Sequence, residues 1–159
     1  MHPNVGRVVA AASVAGLDIE VERFPEGTRT AADAAHAIGC HVAQIVKSLV
    51  FMAGEDAVLA LTSGTNRVDT VRLGQALGIP EVRRADGDEA REATGFAIGG
   101  IPPFGHDRPL TVLVDRDLLT HDRLWAAAGL PDAVFAITPE ALVRACGGRV
   151  INLADSAPR

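Results

Sequence analysis

The feature that most limits the fold of this chain is a short-turned strand pair with one lysine inside it. Val42–Met52 (VAQIVKSLVFM) is an apolar run rich in β-branched residues, which reads as a strand. Ala53–Asp56 reads as a turn and Ala57–Thr62 as a second strand. A connection that short permits only an antiparallel hairpin. Period-two alternation puts Ala43, Ile45, Lys47, Leu49 and Phe51 on one face, and Gln44, Val46, Ser48 and Val50 on the other. Lys47 is the only lysine of the chain. Arginine serves the surface elsewhere, so solubility explains Lys47 poorly. Either its stem lies along apolar surface while the amine snorkels to water, or the ammonium sits at the floor of a cleft. There it would meet a phosphate or polarise an ester carbonyl. Alternation alone leaves both readings open.

A second segment, Ala93–His106 (ATGFAIGGIPPFGH), sets Gly95, Gly99, Gly100 and Gly105 around Pro102 and Pro103. Such a loop lets the main chain approach a ligand and aim amides at it, or it is simply a tight surface turn. It contains neither GxxxxGK[ST] nor GxGxxG, so nucleotide hydrolysis and dinucleotide binding lose their usual signatures. No metal or other cofactor is expected. Cys40 and Cys146 read as free buried thiols, and His36, His41 and His121 lack ligand spacing. His106 is the histidine placed near a pocket. Asp115, at the end of the predicted central strand Leu110–Asp115, either orients a ligand hydroxyl or amine or caps the following turn.

With 159 residues, 48% of them hydrophobic and 22% charged, the chain reads as one domain over residues 1–159. The formal charge of −5 excludes a protein that coats duplex DNA. No apolar run approaches a membrane span, and the N-terminus lacks a basic region before an apolar core. A cytoplasmic protein with no membrane partner is expected. Helices are predicted at Val5–Val14, Ala31–Ile38, Val68–Leu77, Asp88–Thr94, Thr120–Ala128 and Pro139–Cys146. Further strands are predicted at Asp18–Arg23, Val134–Thr138 and Arg149–Leu153, with Ser156–Arg159 fraying. Ser63–Asn66 (SGTN) is a turn carrying hydroxyl and amide groups. The fold class is mixed α/β with a mixed or largely antiparallel sheet.

Three stretches, Gly39–Phe51 (GCHVAQIVKSLVF), Ser63–Asp69 (SGTNRVD) and Ala93–Pro103 (ATGFAIGGIPP), resemble the YbaK-like family in their order and separation. That family is related to the editing domain inserted in bacterial prolyl-tRNA synthetase, and it includes freestanding aminoacyl-tRNA deacylases. The likeness runs from the first helix to the last strand. The family's essential lysine falls on Lys47 and its GxxxP loop on Gly99 and Pro103. The resemblance implies a barrel-like sheet flanked by helices and a cleft that admits the aminoacyl-tRNA acceptor end. It implies hydrolysis of the ester of a mischarged tRNA, by water or by a group on the substrate. Lys47 would anchor a phosphate, while the amides of Gly99 and Gly100 stabilise the oxyanion. Ile45, Ser63, Gly64, Thr65, Phe96, Ile101, Pro102, Pro103, His106 and Asp115 complete the expected substrate-binding set. The implied substrate is tRNA(Pro) carrying a small residue such as alanine, cysteine, serine or 2-aminobutyrate. A basic rim of Arg23, Arg29, Arg67, Arg72, Arg83 and Arg84 would help hold the tRNA, and association with prolyl-tRNA synthetase would strengthen weak binding. Two other readings use the same motifs: a non-catalytic protein of this fold binding a nucleotide or aminoacyl metabolite, and a hydrolase of another small acyl ester.

Overall fold

The hairpin is the axis of the structure. A computed structural model describes residues 1–25, 27, 28 and 30–155. In it β2 (Ile45–Ala53) and β3 (Asp56–Ser63) pair antiparallel from Val46↔Ser63 to Ala53↔Asp56. Around them lie β1 (Val21–Arg23), β4 (Val82–Arg84), β5 (Thr111–Asp115), β6 (Leu124–Ala127), β7 (Ala133–Ile137) and β8 (Arg149–Ile151). The sheet order is β1-β7-β6-β2-β3-β5-β8, with β4 also on β2. Four pairings are antiparallel and three, β2/β6, β3/β5 and β5/β8, are parallel. The sheet is therefore mixed, as expected, and its hydrogen-bonded path among the described residues ends at β1 and β8.

Both faces of the hairpin are covered, which is why its strands read as nearly unbroken apolar runs. Val46, Val50, Leu59 and Leu61 pack with Val5, Val8 and Ala12 of α1 (Pro3–Val14) and with Leu142 of α5 (Pro139–Cys146). Phe51, Val58 and Ala60 face the other way, against Leu113 and against Leu73 of α3 (Thr70–Leu77). Leu59, Leu61 and Leu73 are wholly buried, each contributing about 2 kcal/mol of transfer free energy. Ile45 packs separately with Ala34 and Ala35 of α2 (Ala31–Ile38). The helices start and stop on local chemistry. Thr30 Oγ1 accepts from Asp33 N–H, and Asp86 and Glu89 form a reciprocal capping box at α4 (Gly87–Thr94).

One expected element is wrong. Instead of a helix over Thr120–Ala128 there is a short 3-10 turn, Arg116–Thr120, capped by Asp115, and then strand β6. Leu-Trp-Ala-Ala favours helix by propensity, but pairing with β7 on one side and β2 on the other overrides it. β4 went unread because Glu-Val-Arg-Arg alternates too briefly to register. Val42–Gln44 forms a 3-10 turn, so β2 begins at Ile45 rather than Val42. The predicted fraying of Ser156–Arg159 lies outside the described residues. Among the described residues, no helix is long and apolar enough to cross a membrane.

Candidate functional site: a cleft at the split edge of β2

One edge of β2 is paired with β3 along its length, but the other is shared between two short strands. β6 accompanies only Ile45 and Val46, and β4 only Phe51–Ala53. Between them the edge opens onto a cleft of about 330 Å³, at the small end of the ligand-pocket range. Residues of both parities, Ile45 through Val50, line it, as a void beside a strand edge requires. The opposite wall is Trp125–Ala127 of β6, together with Arg84, Ala85, Pro131 and Val134. Ile98, Gly99 and Ile101 of the glycine loop close one side, and Thr28, Thr30, Ala31 and Ala34 another.

Lys47 is half-buried at this edge, and its Nζ donates to the carbonyl oxygen of Asn66 at 2.6 Å. That carbonyl is itself held from below. Asn66 Nδ2 donates to Asp115 Oδ2 and to Asp117 Oδ2, both at 2.8 Å. Asp115 also accepts from Ser63 N–H at 3.1 Å and from Asp117 N–H at 3.0 Å, and it is wholly buried. The carboxylate at the end of β5 thus fixes the Ser63–Asn66 turn, and the turn fixes the ammonium. Gly64 lets the turn lie flat against Val42 and donates its N–H to Ile45 O at 2.8 Å. Ser63 Oγ donates to Ala43 O at 2.7 Å.

Of the residues expected from the sequence, Lys47, Ile45, Gly99 and Ile101 come together at the cleft. The others do not line it. Ser63, Gly64 and Asp115 belong to the turn beneath Lys47, and Thr65 Oγ1 lies 3.5 Å from Ser63 Oγ. Phe96, Pro102 and Pro103 are buried supports of the glycine loop, with the Arg7 guanidinium 4.1 Å from the Phe96 ring centroid. Gly100, expected as an oxyanion donor, is bonded within its own loop. Its N–H already donates to Ala97 O at 3.0 Å, and it packs so closely on Leu130 that a Cβ would lie 2.9 Å from main-chain atoms. Ser48, Arg84 and the β6 wall were missed. Arg84 was legible only as one of six rim candidates. Among the others, Arg23, Arg72 and Arg83 pair with Asp132, Asp69 and Glu89, Arg67 is exposed, and Arg29 lies outside the described residues. The Arg83 fork holds the Glu89 carboxyl down at about 2. Cys40 and Cys146 are free but only half-buried, and burial raises both thiol pKa values.

Residues 25–145 match the aminoacyl-tRNA editing domain family. The chain belongs to that family. The matched span holds every described residue that lines the cleft, from Thr28 to Val134, while α1 and β8 lie outside it. YwhH of Bacillus subtilis strain 168, an uncharacterised protein, is 30% identical over 124 residues, 77% of this editing domain's chain and 78% of YwhH. The proline–tRNA ligase of Lactobacillus gasseri is 38% identical over 73 residues, 46% of this chain but only 13% of the ligase. A crystal structure of a candidate trans-editing enzyme for prolyl tRNA synthetase matches with a TM-score of 0.92 at 44% identity, covering 98% of this chain and 99% of that one.

His106 anchors the glycine loop of the editing domain from behind. Its Nε2 donates to Pro102 O at 2.7 Å, and burial pushes its pKa below the usual 6.5 against the opposing pull of Asp107. A depressed folded pKa means that the unfolded chain takes up the proton first. The neutral ring's contribution is therefore complete above pH 6.5 and is lost as pH falls through the folded pKa. Tm should drop as pH falls below 6.5 and through the folded pKa, and the drop should shrink in His106→Gln, which keeps a donor for Pro102. An equal drop in both proteins would assign it to other groups.

Proposed function

We propose that this chain hydrolyses the ester bond of mischarged aminoacyl-tRNA, removing a small non-cognate amino acid from tRNA(Pro) in trans. The observation that carries the reading is a single lysine held by the Asn66 carbonyl at the open edge of β2. A fixed ammonium beside a small cleft suits the terminal phosphate of an acceptor end, with which it makes a charge-assisted contact. The buried wall of the cleft is built from Val46, Val50, Ala85, Ala90, Ile101 and Ala126, which suits a short side chain and crowds a longer one.

In this reading positioning and electrostatics supply the rate, with Lys47 and Arg84 as charged groups of the described lining. A second site of this kind is useful because a synthetase pocket discriminates poorly against side chains slightly smaller than its own. The net charge of −5 suits weak tRNA binding through the acceptor end, reinforced by association with prolyl-tRNA synthetase. The test is release of amino acid from tRNA(Pro) carrying alanine, cysteine, serine or 2-aminobutyrate. Turnover of at least one is expected. A folded protein that hydrolyses none of them would overturn the reading.

A further inference from the structure

We propose that the oxyanion donor of this site is the main-chain N–H of Ser48, on the free edge of β2, and not an amide of the glycine loop. The inference rests on the hydrolytic reading above. In an antiparallel pair, successive residues turn their N–H and C=O to opposite edges. Ile45 O accepts from Gly64 N–H on the β3 side, and Val50 O accepts from Ala85 N–H on the other. Odd-numbered residues of β2 therefore address β3, while Val46, Ser48 and Val50 address the split edge. The β6 register ends at Val46↔Ala126 and the β4 register begins at Phe51↔Arg84. Ser48 falls in the gap, in neither register, and it lines the cleft.

Three further observations point the same way. Ser48 Oγ is buried and has no hydrogen-bond partner among the described residues, so the side-chain hydroxyl beside this N–H is not consumed by the fold. Such groups in a protein interior are costly unless a ligand or water meets them. Lys47 and Arg84 are charged side chains of the described lining, and their positive charge favours a developing anion. The Gly100 amide, the obvious loop alternative, is occupied by Ala97 O. Ser48 N–H also belongs to the peptide unit that begins at the Lys47 carbonyl, so the phosphate anchor and the oxyanion donor come from adjacent residues of one rigid strand.

In the step this supports, the oxygen of water bonds to the ester carbon and the carbonyl electron pair moves onto oxygen. That oxyanion accepts a hydrogen bond from the Ser48 N–H. Collapse re-forms the carbonyl and breaks the bond to the ribose oxygen, which receives a proton from the attacking water. The products are the free amino acid and a tRNA with its terminal hydroxyl restored.

Replacing residue 48 by the α-hydroxy acid counterpart of serine exchanges the main-chain N–H for oxygen and leaves the side chain intact. With a mischarged tRNA that wild type hydrolyses, kcat should fall about 100- to 1,000-fold with little change in KM. Ser48→Ala, which keeps the N–H, should lose no more than about tenfold. The matching main-chain replacement at Gly99 should cost less than that at Ser48. A wild-type kcat for the residue 48 ester, or a larger loss at Gly99, would overturn the assignment. So would a loss in Ser48→Ala as deep as that of the ester. A second measurement needs neither turnover nor a variant that folds. On titration with an adenosine-linked aminoalkyl phosphonate, a tetrahedral anion, the Ser48 amide proton should shift downfield in NMR spectra. Movement at Gly99 with a still Ser48 would reject the proposal. Because that titration is independent of hydrolysis, the donor assignment and the deacylase reading can fail separately.

Discussion

Lys47→Ala should yield a folded protein whose hydrolysis of mischarged tRNA(Pro) is about 100- to 1,000-fold slower than wild type. The stability cost should be small. Nζ donates to a carbonyl at the rim of a cleft, and truncation there opens onto space that already exists. Measuring kcat/KM beside the urea midpoint separates the two effects. Lys47→Arg should not restore activity, because the planar fork cannot reproduce the short point contact between Nζ and Asn66 O. A Lys47→Ala protein that unfolds at low urea would make the lysine structural, and one with wild-type turnover would remove it from the site.

Gly64→Ala should be strongly destabilising. An added Cβ would lie 2.2 Å from Val42 O, 3.0 Å from Ala31 Cβ and 3.1 Å from Val42 Cγ1. The nearest of these is backbone, which cannot swing aside, so the turn must lift. A cost of about 3 kcal/mol is expected, and because Asn66 rides on that turn, Lys47 loses its register as well. Gly87→Ala is the control: nothing lies within 4 Å of its added Cβ, and a change within about 0.5 kcal/mol is expected. Urea denaturation of the pair decides the matter. A Gly64→Ala midpoint indistinguishable from that of Gly87→Ala would show that the turn has slack the geometry denies.

Much of this could be read before any coordinates. The hairpin, the helices ending at Gly39 and Gly78 and the importance of Lys47 all follow from local signals: alternation, capping residues and one cation in an apolar run. Where the residues speak only through distant partners, the reading failed. Asp115 looked like either a ligand contact or a turn cap. It caps the turn at Asp117 and also holds Asn66 across the sequence, a role visible only once β5 lies beside β3. Gly100 looked like an amide donor because a glycine-rich loop says nothing about which N–H groups are already bonded.

The sequence alone determined that residues 42–62 hold an antiparallel pair with a lysine on one face, because side-chain period and turn length are properties of neighbouring residues. Only the tertiary structure decided that this strand has a split edge. The cleft exists because two short segments, Val82–Arg84 and Leu124–Ala127, stop before they meet along β2. Neither segment carries a strong strand pattern of its own. Their pairing is set by long-range packing, and a gap between two registers has no local sequence signal to announce it.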